Sequence, residues 1–255
     1  MKRFIALTVV LTGVVGLAIA FAGPEPLSSK EIRPMQPACD WSGFYIGVNG
    51  GVGSYTGYNT DNNEWEVDPV TQTMTDINGI FGGQIGYNFQ TGAAVFGIEA
   101  DGDWTNFSAR SHLNNNLWGD TFNRTSEMDF MGTVRGRVGL AYQNVMAYVT
   151  AGVAFATGDR RTRYDEDVPA EQEEFANWNS NGFRAGPVAG VGVEYMAGCH
   201  WTIRLETLYA DFGEDTVHPS SFDTGSSAAD YTYTFSDKVW VARVGVNYKF
   251  GSFGR

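Results

Sequence analysis

Charged residues in this chain recur at every second position of otherwise apolar stretches. Glu99, Asp101 and Asp103 alternate with Ile98, Ala100 and Gly102, and Arg135 and Arg137 alternate with Val134, Gly136 and Val138. The same habit places Asp129 before Phe130, Arg184 after Phe183, and Glu194 between Val193 and Tyr195. It sets Arg204 and Glu206 around Leu205, Arg243 beside Val244, and Lys249 between Tyr248 and Phe250. In an extended chain successive side chains point to opposite faces, so each charge lies away from its apolar neighbours. Glu99 and Asp101 have the spacing for paired acid–base work. The arginines in the same pattern argue against it, because a nearby cation keeps a carboxylate ionised. No Gly-x-Ser-x-Gly, no serine–histidine–aspartate set and no metal-ligand spacing accompanies them. The expectation is a protein that is not an enzyme and uses no metal or cofactor. The charges form six acids against six bases. That balance suits an interior, where an unpaired charge is costly and a paired, hydrogen-bonded one is tolerated. The twelve are therefore read as a salt-bridge network closing a lumen; the alternative is a charged constriction in a diffusion pore.

The elements that must position these residues are strands. In Lys238–Phe250, Trp240, Ala242, Val244, Val246, Tyr248 and Phe250 form one face, with Arg243, Asn247 and Lys249 on the other. Period-two alternation of that length is a strand signal. Six more stretches repeat it, Trp41–Tyr55, Asp76–Phe89, Ala93–Thr105, Glu127–Tyr142, Gly182–Met196 and Trp201–Phe212, and an eighth strand, Val145–Thr157, is small or apolar on both sides, which leaves its facing open. The connections between them run long and short in turn, as outer-membrane barrels do with an even strand number. The expected fold is all-β, an eight-stranded antiparallel transmembrane up-and-down β-barrel. Its apolar faces would meet lipid and its charged faces the lumen, which is about narrow enough at eight strands to be filled by side chains. Strand-end tyrosines and tryptophans such as Trp104, Tyr142, Tyr195, Trp201 and Trp240 read as interfacial girdles. A soluble periplasmic β-sandwich is the rival at the level of fold.

Composition agrees. The 255 residues include 32 glycines, well above the usual roughly 7 %, while charged residues make up only 18 % and aromatics 14 %. The net charge of −12 excludes a nucleic-acid binder. Lys2-Arg3, an apolar run from Phe4 and the close Ala20-Phe21-Ala22 read as a signal peptide over 1–22. Residues 23–38 form a proline-rich periplasmic lead, 39–250 the barrel and 251–255 a tail. That assigns the chain to the outer membrane of a Gram-negative cell, with a periplasmic N-terminus and long external loops. Its partners would be outer-membrane lipid, lipopolysaccharide and any host or surface ligand met by the acidic loops. Cys39 and Cys199 fall at the same end of such a barrel, in an oxidising compartment, and are expected to form a disulfide. His112 and His218 sit in long loops, where they are either haem-iron ligands or ordinary polar loop residues.

The run Asp40-Trp-Ser-Gly-Phe-Tyr-Ile-Gly-Val-Asn resembles the opening strand of a small outer-membrane β-barrel family abundant in alphaproteobacteria. So do Gly132-Thr-Val-Arg-Gly-Arg-Val-Gly, Tyr148-Val-Thr-Ala-Gly, Gly190-Val-Gly-Val-Glu-Tyr, Trp201-Thr-Ile-Arg-Leu-Glu and Val244-Gly-Val-Asn-Tyr-Lys-Phe. That family looks like the OmpA transmembrane domain and includes immunogenic surface proteins and some hemin-binding proteins. The likeness covers about residues 40–250 and implies a structural role in envelope integrity with surface contacts. Narrow porin and hemin-receptor activities are the alternatives. It also implies handling by the barrel-assembly machinery, which reads a final aromatic. Either Phe250 or Phe253 would serve as that aromatic here, since the chain continues past Phe250 with Gly251-Ser-Phe-Gly-Arg.

Overall fold

The computed structural model describes residues 39–61, 71–114, 121–165, 175–217 and 233–251. The expected signal peptide and proline-rich lead lie outside the described residues. Eight strands follow one another: β1 Gly43–Asp61, β2 Thr71–Thr91, β3 Ala94–Asn114, β4 Thr121–Tyr142, β5 Val145–Asp165, β6 Phe175–Ala197, β7 Trp201–Val217 and β8 Tyr233–Lys249. Each pairs antiparallel with the next, and β8 returns to β1, so the sheet is a closed barrel in sequence order.

Three tight turns sit at the end that carries the two described chain ends. Gly92 (φ +60°) and Gly198 (φ +73°) supply the left-handed backbone at two of them. Gln143 (φ 53°) takes that conformation at the third despite its Cβ. At the opposite end the strands outrun the expected boundaries. β1 runs to Asp61 rather than stopping at Tyr55, β3 to Asn114 rather than Thr105, and β5 to Asp165 rather than Thr157. These extensions are rich in Thr, Ser, Asn and Arg, so hydrophobic alternation fades there while the backbone ladder continues.

Alternation decides the two faces. Phe44, Ile46, Val48 and Val52 of β1 point outward, as do Phe96, Ile98 and Trp104 of β3 and Val134, Val138 and Leu140 of β4. Ile98 is 68 % exposed and Leu140 69 %. An apolar belt continuous around all eight strands far exceeds what a water-soluble monomer carries. Lipid is the solvent that suits it, and closure leaves no strand edge unpaired within that belt. Aromatic pairs mark its rims, with Phe81 stacked on Trp104 at 5.7 Å and Tyr209 beside Trp240 at 4.7 Å, and Trp201 against Tyr248 at the turn end.

One face assignment reverses. The β4 ladder slips between Ser126 and Phe130, so Met128 turns inward and is fully buried while Asp129 and Phe130 are both exposed. Strict alternation had put Met128 outside and Asp129 in the lumen; an extra residue in one strand shifts the parity beyond it.

An arginine placed at mid-belt should therefore be far more costly than one past the rim. Ile98→Arg and Val138→Arg are each expected to lower the unfolding free energy in phospholipid vesicles by about 2–4 kcal/mol, and Thr56→Arg by under about 1 kcal/mol. Equal losses at all three positions would refute the belt.

Candidate functional site: the filled interior

The inward positions build a stack of layers. At the turn end, Trp41, Val95, Met146, Tyr148 and Met196 pack as an apolar floor, with Cys39 against them. Cys39 is joined to Cys199 by a disulfide with Cα atoms 5.1 Å apart, which ties the segment before β1 to the β6–β7 turn. Lys249 belongs to this floor. It donates to the main-chain carbonyl of Asp40, so the structure does not place it among the carboxylates as the sequence suggested. Being near the end of β8, paired with Tyr45, it lies too close to the rim to reach them.

Above the floor lies the charged layer. Register sets Glu99 opposite Arg135, Glu194 opposite Arg204 and Glu206 opposite Arg243. Arg135 reaches Glu99 at 2.6 Å, Asp101 at 2.8 Å and Glu206 at 3.0 Å. Arg243, from the far side of the barrel, reaches Asp103 at 2.6 Å, Glu206 at 2.8 Å and Asp101 at 3.0 Å. Arg204 lies 2.5 Å from Glu99, and Arg137 3.0 Å from Glu194. All nine side chains are buried. The Arg137 guanidinium also lies over two rings, that of Tyr45 at 5.1 Å and that of Tyr148 at 4.9 Å, a double cation–π contact. Both tyrosines donate to network carboxylates, Tyr45 to Glu99 and Tyr148 to Glu206. Gln84 and Asn247 extend the hydrogen bonding to β2 and β8. Glycine makes room: a Cβ on Gly245 would stand 2.9 Å from Nε of Arg204, whose side chain crosses that position.

A second apolar layer follows, formed by Ile80, Phe107, Met128, Met131, Leu208, Val239 and Val241. It explains why the inward face of β8 carries valines, Val239 and Val241, between the charged Asp237 and Arg243. Beyond it is a smaller polar cluster. Asp237 accepts from Tyr55 and is paired with both Arg160 and Arg184, the latter at 2.8 Å, and Tyr55 also bonds Ser126.

Of the twelve charged residues picked from the sequence, nine thus converge in one layer. Arg184 joins a different cluster, Lys249 the floor, and Asp129 is exposed. His112 stands exposed on β3 instead of in a loop, and His218 lies outside the described residues. Sequence reading missed Arg160 and Asp237 because both fell outside the expected strands, Arg160 in a loop and Asp237 one residue before Lys238. Continuing the inward sets 154, 156 and 241, 239 by two-residue steps would have reached them. Sequence reading gave Tyr45 and Tyr148 no role, and no sequence signal separates them from the outward aromatics except parity. Among the described residues no group of His, Cys, Asp and Glu has the arrangement to hold a metal ion. Every carboxylate of the charged layer is buried against arginine.

The chain was compared with known proteins. A family model described as outer membrane protein beta-barrel domain matches residues 14–250. The 31 kDa outer-membrane immunogenic protein of Brucella melitensis is 28 % identical over 218 residues, covering 82 % of this chain and 84 % of that one. The 22 kDa outer membrane protein of Rhizobium leguminosarum bv. viciae is 30 % identical over 202 residues, covering 78 % and 75 %. Among solved structures, the outer membrane protein OprG from Pseudomonas aeruginosa is similar with a TM-score of 0.48 and 17 % identity, over 83 % of this chain and 97 % of that one.

Removing one partner of the charged layer should be much more damaging than removing a rim pair. Arg243→Ala strands Asp103, leaves Asp101 and Glu206 to Arg135, and is expected to cost about 3–5 kcal/mol in denaturant unfolding from detergent micelles. Lys238→Ala removes a partly exposed pair with Asp211 at 3.8 Å and should cost under about 1 kcal/mol. Thiol titration of the unfolded, unreduced protein should find no free cysteine.

Proposed function

The chain belongs to the outer membrane protein beta-barrel domain family, and on that footing we propose that it is a closed structural barrel contributing to envelope integrity. Its polar strand extensions and acidic connections then act as the surface it offers to other molecules. The observation that carries this reading is the charged layer. Guanidinium groups from β4, β7 and β8 meet carboxylates from β3, β6 and β7 across the full width of the lumen, between two apolar layers. Water and solutes would have to break several buried ion pairs to pass, and each rupture leaves an uncompensated charge behind. The same sealing argues against acid–base catalysis.

Orientation follows from the same reasoning. The disulfide-tied floor and tight turns suit the periplasmic side, and the long strand extensions suit the exterior, as in bacterial barrels generally. The immunogenic character in the names of the Brucella relatives is theirs; for this chain the surface role is our reading of its exposed, polar upper strands.

Two measurements check the proposal. Refolded protein in planar bilayers should give no steady conductance steps; reproducible steps would replace the closed barrel with a narrow porin. On intact cells, a membrane-impermeant maleimide should label Thr216→Cys and leave Ala93→Cys unlabelled, and the opposite pattern would invert the orientation.

A further inference from the structure

The barrel is fully laddered only over part of its height. β2 and β3 pair from Thr91–Ala94 up to Phe81–Trp104, and no ladder joins them above that pair among the described residues. β6 and β7 pair from Ala197–Trp201 up to Val188–Ala210, and their ladder likewise ends there. The other six interfaces continue almost to the strand tips: β3–β4 to Asn114–Thr121, β5–β6 to Asp165–Phe175, β7–β8 to Val217–Tyr233 and β1–β2 to Thr60–Thr71. In a ring of eight strands these two lapses are opposite each other. The upper barrel is therefore two four-stranded ribbons, β3–β6 and β7–β8–β1–β2, rising from one closed base. Both lapses start at the upper aromatic ring, by Phe81–Trp104 and Tyr209–Trp240. That is where water becomes available to satisfy unpaired backbone groups, which hydrocarbon cannot do.

What holds the ribbons together is the polar cluster at this level. Arg160 and Arg184 stand on the first ribbon, and Asp237, which both of them engage, stands on the second. Arg160 also reaches Asp215 of the second ribbon at 3.3 Å, and its guanidinium lies 5.2 Å from the ring of Phe235. Tyr55 of the second ribbon bonds Ser126 of the first at 2.6 Å and stacks on Phe107 of the first at 6.0 Å. Every one of these contacts crosses from ribbon to ribbon. One seam is also stitched by side chains: the Ser108 amide donates to Asp76 at 2.8 Å, and Asn78 donates to the Asn106 carbonyl at 2.7 Å. At the other, the backbones touch without a ladder, since a Cβ on Gly186 would meet the Asp211 carbonyl.

We infer that the upper barrel is a clasped pair of jaws, with Asp237, held by Arg160 and Arg184, as the catch. Release of the catch lets the ribbons part along the two seams and uncovers the apolar layer of Phe107, Met128 and Ile80. The charged layer below lies within the fully laddered base and keeps its own contacts, so the lumen stays sealed while the mouth opens.

The test is electron–electron distance measurement between spin labels on Arg110→Cys of the first ribbon and Thr216→Cys of the second. Ala93→Cys and Ala197→Cys serve as a reference pair on the turns of the base. The native cysteines are tied as a disulfide and take no label. With Asp237 present both pairs should give narrow distributions. Asp237→Asn should shift the upper pair to longer, broader distances and leave the reference pair unchanged. An upper distribution that superimposes on that of the unmutated catch overturns the clasp, and so does equal broadening of both pairs. Should Asp237→Asn fail to refold, Arg160→Gln combined with Arg184→Gln removes the two cations that hold Asp237 and is read by the same two criteria.

Discussion

A polypeptide crossing hydrocarbon has to satisfy every backbone N–H and C=O from within itself, and the form of this molecule follows from that requirement. Strands can meet it only by closing into a ring, because any edge would leave a row of bare hydrogen-bonding groups in lipid. Closing eight strands fixes a lumen about as wide as two facing layers of side chains. Such a lumen must be filled with matter that is either apolar or fully paired. The chain uses both in alternation: apolar floor, charged layer, apolar layer, polar cluster. Where the requirement relaxes, at the upper aromatic ring, the ladder is allowed to lapse on two sides.

The charged layer illustrates how a buried network can be assembled without a specialised motif. Each arginine sits on a strand next to, or across from, a carboxylate-bearing strand, so strand register delivers the guanidinium groups to their partners before any side-chain search. Burial then makes each partner indispensable to the others, since removing one leaves charge in a place that water cannot reach. Arg137, between two tyrosine rings that themselves donate to Glu99 and Glu206, shows how the aromatic and ionic parts are joined into one unit.

Much of this could be read from the order of residues, for a physical reason: period-two alternation is a direct record of which solvent each face meets. The lipid faces of seven strands and the inward placing of nine members of the charged layer follow from parity alone, whereas Val145–Thr157 is small or apolar on both sides and parity leaves its facing open. Parity fails where geometry is not strictly repetitive. The slip in β4 sends Asp129 outside and Met128 inside, and nothing in the composition of that stretch marks it. It also fails where both faces are polar, as in the strand extensions, so Arg160 and Asp237 fell outside the expected strands. Nor does it say which inward positions share a height. Arg184 and Arg204 are equally inward in sequence, yet Arg204 lies near the β6–β7 turn and Arg184 beyond the last β6–β7 pair, so they fall in different layers.

The bond between Cys39 and Cys199 turns the residues from 39 to 199 into a covalent ring, 160 positions around. Six of the eight strands lie on that ring, and β7 and β8 hang from it as a free arm. If the thiols join in the periplasm before the chain enters the membrane, the start of β1 is held beside the start of β7 from the outset. The entropy of bringing the two ends of the sheet together is then largely spent in water, in forming one bond. What is left for the membrane step is to swing a single hairpin across a gap of fixed width, which makes the last seam, β8 on β1, a short-range event instead of a search over the whole chain.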